Sequence, residues 1–181
     1  MRPRVYLAGP EVFLPDPPAA AARLQRLCAD HGLEGVFPLD QAVAPRDGEP
    51  PSGHAARIRA ANLDLIRGAD LVIANVTPFR GPSPDDGTVY EMGFATALGR
   101  PVFAYSDDPR SLLERTRSLM PVSERDGVWR DGQGMMVEEF GLPVNLMLVD
   151  PATGGVHAGA EAAIGAAAAW WRDRAGAPQP R

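Results

Sequence analysis

Apolar residues in this chain fall into short, dense runs separated by stretches with helical spacing. "VYLAG" (5–9) is the first run, closed by Gly9-Pro10, and it predicts a strand followed by a break. "PPAAAARLQRLCADHG" places Leu24, Leu27 and Cys28 on one helical face and stops at Gly32. "GVFPL" (35–39) predicts a second strand, and a polar loop rich in Pro and Gly follows to about residue 53. A helix over 54–69 is predicted from Ile58, Ala61, Leu65, Ile66 and Ala69, and "DLVIANV" (70–76) is apolar enough for a strand buried on both faces.

The same alternation continues. A loop (77–86) leads to a helix (87–98), Gly99, and a strand "PVFAYS" (101–106). A further helix is expected over 110–120, then an irregular or hairpin excursion over 121–141. "PVNLMLVD" (143–150) fits a strand or a short helical turn, and an alanine-rich helix closes the chain at 159–176. Strands alternating with helices predict an α/β fold: one doubly wound, mainly parallel sheet flanked by helices, Rossmann-like or flavodoxin-like. The expected domain is 1–176, with 177–181 ("APQPR" and its approach) as a flexible tail.

This fold fixes where a ligand would sit, because open α/β sheets bind beyond the carboxyl ends of their strands. Three loops leave such ends, 9–17, 40–53 and 77–86, and they carry Glu11, Phe13, Asp16, Asp40, Phe79, Asp85 and Asp86. None contains G-x-G-x-x-G or a phosphate-binding P-loop, so no dinucleotide or nucleoside triphosphate has its fingerprint here.

Composition narrows the classes further. A chain of 181 residues with 45% hydrophobic and 23% charged residues is ordinary for a globular domain. A net charge of -5 without a basic stripe argues against nucleic acid as a partner. The lone cysteine, Cys28, excludes an internal disulfide and reads as a buried structural thiol. No stretch approaches membrane-spanning length and the N-terminus lacks a long apolar run, so a soluble, cytoplasmic protein is expected. His31, His54 and His157 are scattered, so neither a metal site nor any cofactor is expected.

The carboxylates deserve separate weighing. In "PSPDDGTVYEMGFATALG", Thr88 and Glu91 have the spacing of a capping box, in which Glu91 would bond back to the helix start. Yet Phe94, Ala95 and Leu98 lie within about 60° of Glu91 on a helical projection, so this carboxylate shares the apolar stripe. A charge there is costly unless it faces a cleft or finds partners, and the helix N-terminus would favour its ionised form. Cap and functional group both stay open. One of Asp85 and Asp86 can cap the helix; Asp86 fits the turn better, and Asp85 stands at the mouth of the loop. On the preceding helix Asn62 lies near the centre of the apolar stripe and Asp64 on its flank, where most aspartates are simply solvated. Tyr6, if buried in the first strand, needs a partner for its hydroxyl, and a carboxylate would serve.

"VYLAGPEVF", "ADLVIANVTPFRGPSPDDGTVYEMGFATALGRPVFAY" and "GLPVNLML", in that order, resemble the nucleoside 2-deoxyribosyltransferases over most of the chain. The resemblance implies a retaining transfer of 2-deoxyribose between nucleobases. It makes Glu91 the nucleophile, Tyr6 the residue that orients it, and Asp64 a base contact or proton donor. Asp85, Gly9 and Phe13 then bind substrate, and Asn145 reaches into a neighbouring subunit's site. A homodimer or an assembly of dimers follows, with nucleosides and nucleobases as ligands. Two other functions fit the fold: a nucleoside 5'-monophosphate N-glycosidase, disfavoured by the acidic, serine-free "GPEVFLPDP", and a nucleotide-sensing module without turnover.

Overall fold

In a computed structural model, residues 2–41 and 43–175 are described; the tail expected at 177–181 lies outside them. Five strands form one parallel sheet: β1 (Arg4–Ala8), β2 (Glu34–Val36), β3 (Leu71–Asn75), β4 (Val102–Ser106) and β7 (Val156–Ala158), in the order β2-β1-β3-β4-β7. Between β4 and β7 the chain makes a two-stranded antiparallel hairpin, β5 (Val122–Arg125) and β6 (Val128–Asp131). The helices are α1 (Pro17–Asp30), α2 (Pro51–Arg67), α3 (Asp86–Ala97), α4 (Leu112–Leu119) and α5 (Ala160–Ala175). This is the doubly wound α/β domain that the alternating pattern predicts.

Side-chain alternation along each strand divides the core between two faces. Val5 and Leu7 of β1, Leu71 and Ile73 of β3, and Phe103 and Tyr105 of β4 pack against Leu24 and Cys28 of α1 and Ile164 and Ala167 of α5. Tyr6, Ala8, Val72, Ala74 and Ala104 point the other way, against Leu63 and Ile66 of α2 and Met92 and Ala95 of α3. Burial pushes the Cys28 thiol up to about 12, which suits its structural role. Local chemistry sets the helix starts: Asp16 accepts the Ala19 N–H ahead of α1, and Ser111 and Glu114 form a reciprocal capping box on α4.

Three details differ from the sequence pattern or resolve it. The excursion at 121–141 is a hairpin, turned by Asp126-Gly127 with positive φ at both residues. The segment 143–150 contains a 3-10 turn, Leu146–Leu148, rather than a strand. Strand β7 was not expected: it has three residues, includes His157, and is flanked by Gly154, Gly155 and Gly159, so it lacks an apolar run.

The strand order positions the site. From β1 the chain moves outward to β2 and then returns past β1 to β3, so the loops leaving β1 and β3 diverge. The crevice between them is the topological switch point where α/β sheets bind ligands.

Candidate active site

The start of α3 sits at this crevice. Asp85 is its N-cap, and its Oδ2 accepts both the Thr88 N–H, at 2.9 Å, and the Thr88 hydroxyl, at 3.2 Å. The capping box expected from Thr88 and Glu91 therefore does not form: the helix begins three residues earlier than that pattern requires. Asp86 occupies the first helical turn, beyond the cap. Glu91 lies more than a turn inside α3, out of reach of the orphan N–H groups. Its carboxylate instead accepts a hydrogen bond from the Tyr6 hydroxyl, with Oε1 at 2.6 Å. Tyr6 projects from the centre of β1, fully buried, onto the α3 side of the sheet.

Electrostatics in this pair run against the helix-dipole expectation. Burial pushes the Glu91 carboxyl up; the Tyr6 hydrogen bond pulls it back, and the charge of Asp85 raises it again, to about 7. The Tyr6 hydroxyl is driven well above its ordinary range by burial and by the adjacent carboxylate, so it stays a hydrogen-bond donor. Glu91 is thus poised between acid and carboxylate near neutral pH, a property of groups with work to do at a site.

Two hollows meet at Glu91. The inner one, about 140 Å³, is lined by Gly9, Phe13, Pro38, Asn62, Asp85 and Glu91, among others. The outer one, about 400 Å³, lies between α2 and α3 and is walled by Ile58, Arg59, Asn62, Leu63, Tyr90 and Glu91, with a few further residues. Larger hollows of 560 Å³ beside Ser106 and His157, and of 610 Å³ beside Met92 and Met147, contain neither Tyr6 nor Glu91.

The crevice floor is braced by Glu11, in the loop after β1. Its buried Oε1 accepts from the Tyr105 hydroxyl and from Asn75 Nδ2, both at 2.8 Å, which ties the ends of β1, β3 and β4 together. Gly9 makes room for this arrangement. Its backbone is extended, but a Cβ there would stand 1.9 Å from Glu11 Oε2. Over the crevice, Phe13 stacks on Phe79 with ring centroids 5.3 Å apart. The Arg80 guanidinium covers both rings, 4.6 Å from Phe79 and 5.4 Å from Phe13, from a backbone held at a φ of 55°.

Of the residues singled out in the sequence, Tyr6, Gly9, Phe13, Asp85 and Glu91 converge on this crevice. Asp64 does not. Its side chain is 71% exposed and pairs with Arg67 at 2.6 Å. Asn62, two residues earlier and therefore about 200° around the helix, takes the position facing Glu91. Asn145 lies on the surface, where it caps the 3-10 turn at Leu146 and donates to Glu138; it lines neither hollow at Glu91. Sequence reasoning placed Glu11 in a ligand-facing loop without a partner, and noted Asn62 only for its place on the apolar stripe. An amide at the centre of an apolar helical stripe was the available signal for Asn62; the contact of Glu11 with Tyr105 spans 94 residues and leaves no local trace. Among the described residues, no group of three or more His, Cys, Asp or Glu side chains is arranged to hold a metal ion.

Comparison with known proteins places this geometry in context. The family model described as nucleoside 2-deoxyribosyltransferase matches residues 5–147. A solved 2-deoxyribosyltransferase from Leishmania mexicana is 34% identical, with a TM-score of 0.73, over 92% of this chain and 97% of that one. A 2-deoxyribosyltransferase from Bacillus psychrosaccharolyticus shares the fold at 22% identity, with a TM-score of 0.50, over 67% of this chain and 86% of its own. An uncharacterized protein of Schizosaccharomyces pombe is 30% identical and covers 80% of this chain and 74% of its own length. The family match runs from the strand that carries Tyr6, through the capped helix that carries Glu91, and past Asn145. This chain belongs to the nucleoside 2-deoxyribosyltransferase family.

Proposed function

We propose that this protein transfers 2-deoxyribose between nucleobases by double displacement through a covalent ester on Glu91. The observation that carries the reading is the 2.6 Å contact between Tyr6 and Glu91 at the junction of two hollows. Tyr6 occupies Oε1 and fixes the carboxylate plane, which leaves Oε2 for the anomeric carbon. The C1'–N bond breaks with its electron pair going to the base, which takes up a proton from solvent, while Glu91 Oε2 bonds to C1'. A second base then attacks C1' from the vacated side, the ester bond breaks, Glu91 regains its charge, and the base's N–H proton is released. Two inversions give net retention.

An ionised Glu91 is needed for the first step and is expensive in a buried site. Developing oxocarbenium charge on the sugar relieves that cost in the transition state, so the attraction is stronger there than in the ground state. A 2-deoxy sugar lacks an electron-withdrawing hydroxyl and reaches this state more easily. Asp85 keeps Oδ1 free of its capping bonds, so it can accept from a substrate hydroxyl. Gly9 and Phe13 shape the inner hollow around the ligand. Water in place of the second base gives slow hydrolysis, a side activity of the same intermediate. A 5'-monophosphate is disfavoured where Asp85 and Glu91 both line the inner hollow and add negative charge to it.

The active form in this reading is a homodimer, or an assembly of dimers, with Asn145 supplied to a neighbour's site. Supporting it, Asn145 is exposed beside Leu146 and Met147, which are 45% and 81% exposed, and Phe140 nearby in sequence is 66% exposed. Apolar surface of this kind favours burial against another copy. No described helix is long and apolar enough to cross a membrane, and a cytoplasmic role in nucleoside salvage is part of the proposal.

Incubation with a deoxynucleoside alone, followed by acid quench and peptide mass spectrometry, tests the reading. A deoxyribosyl adduct on the Glu91 peptide, and a new nucleoside when a second base is added, are expected. An adduct on another residue, or base exchange that survives Glu91→Ala, would overturn it.

A further inference from the structure

We infer that Arg80 is a positioning residue: its guanidinium clamps Phe13 against Phe79 and so holds the Phe13 ring as a fixed wall of the inner hollow. The inference rests on the transfer reading above, in which that hollow takes the ligand. Phe13 lines the hollow, yet more than half of it is exposed and it packs into neither face of the core. It ends a single 3-10 turn, Pro10–Phe13, so its own segment does little to fix the ring. What fixes it comes from the far side of the crevice. Phe79, in the loop after β3, lies on it with the two ring planes 19° apart, and Arg80 covers the pair.

Two observations commit Arg80 to this task. Its guanidinium forms no ion pair among the described residues, although Asp85 and Asp86 line the same hollow of about 310 Å³. The cation lies on the aromatic faces instead, where the ring quadrupoles attract it. Its backbone also sits at a φ of 55°, inside a turn closed by the Phe79 N–H on the Ser83 carbonyl at 2.9 Å. Glycine would adopt that conformation freely, so an arginine there gives up backbone ease for what its side chain does. A wall already in place when the ligand arrives lowers the ordering cost of binding. Arg80 lines neither hollow at Glu91, so its influence falls on binding and not on the bond-breaking step.

Steady-state base exchange and fluorine NMR test this together. Arg80→Ala should raise KM for the deoxynucleoside roughly three- to fivefold, the size of an exposed cation–π contact, with kcat changed by less than about twofold. Arg80→Lys keeps a cation and should raise KM by less than about twofold. Arg80→Gly relaxes the backbone, so it should melt at a higher temperature than Arg80→Ala and still show the raised KM. That pairing separates the guanidinium from the shape of the turn. In protein carrying para-fluorophenylalanine, the Phe13 signal is assigned by its loss in Phe13→Leu. It should move toward the free amino acid's position in Arg80→Ala and stay in place in Arg80→Lys. A Phe13 signal unmoved by Arg80→Ala, or an unchanged KM in Arg80→Gly, would overturn the inference. The ring measurement needs no turnover, so it decides on the clamp independently of whether a sugar adduct forms on Glu91.

Discussion

The Tyr6 hydroxyl and Glu91 Oε1 meet at 2.6 Å across 85 residues of sequence, one carried by the middle of a parallel strand and the other by a helix packed on it. The strand is buried from Val5 to Ala8 and the helix is capped by Asp85, so neither side chain can relax away without disturbing the core. The contact orients the carboxylate and occupies one of its oxygens. It also lowers the cost of ionising a group that burial would otherwise keep protonated.

A stability consequence follows from that cost. Unfolded, a glutamate titrates near 4.5, and in the folded protein Glu91 titrates near 7, so between these values the native state binds more protons. The native protein therefore loses stability as pH rises through this window, by roughly 3 kcal/mol in all. Glu91→Gln removes the titration and keeps an oxygen for Tyr6. At pH 8 its Tm should exceed that of the unmodified protein by a few degrees, with little difference at pH 4.5. Base exchange should be lost altogether. Thermal scans at the two pH values check the first expectation; a Tm difference independent of pH would show that Glu91 is not a buried acid.

The pH dependence of catalysis reports the same group. With Glu91 ionised in the active form, kcat/KM should fall about tenfold for each pH unit below roughly 7. The charge of Asp85 contributes to the high value, so Asp85→Asn should move the acid limb to lower pH. Asparagine also caps helices well, so α3 should survive the change. The limb position separates this effect from any loss of substrate binding, which would lower the whole curve. An unshifted limb in Asp85→Asn would remove Asp85 from the electrostatics of Glu91.

How far the sequence reached is seen in particular residues. The runs at 5–9, 70–76 and 101–106 are apolar on both faces, which only a strand inside a layered sheet requires, and they gave the parallel core. Glu91 and Tyr6 were legible because each raised a local difficulty, a carboxylate on an apolar stripe and a hydroxyl in a buried strand, and each resolves the other. Asp64 stands out in the sequence because an aspartate is a more conspicuous chemical group than an amide. Helical phase separates the two in space: Asn62 lines the hollows at Glu91, and Asp64 turns outward to Arg67. The Glu11 brace and strand β7 depend on partners far away in the chain, Tyr105 and Ala104–Ser106, and no spacing rule encodes them.

The Glu11 brace makes its own prediction. Gly9→Ala places a methyl group 1.9 Å from Glu11 Oε2 and must displace the carboxylate from Tyr105 and Asn75. A loss of about 2–3 kcal/mol is expected, read as a lowered urea midpoint. In the Glu11→Ala background only Asn75 Cβ, at 3.0 Å, still crowds the new methyl group, so the same substitution should cost less. The double-mutant cycle measures the difference as a coupling energy. Additive effects would mean that Gly9 is required for some reason other than room for Glu11.

Assembly offers the last test, because a residue supplied in trans leaves a quantitative signature. In the twofold dimer proposed above, each site would take Glu91 from one protomer and Asn145 from its partner. Protomers with Glu91→Ala and protomers with Asn145→Ala should each be inactive on their own. Pairing one of each yields one site carrying both changes and one carrying neither. Random re-association of an equal mixture makes half of the dimers mixed, so about a quarter of the unmodified activity should return. Exposed Leu146 and Met147 flank Asn145, so Met147→Asp should weaken the association and with it the recovery. Activity that stays at background in verified mixed dimers would place Asn145 and Glu91 in the same protomer's site, or Asn145 in none.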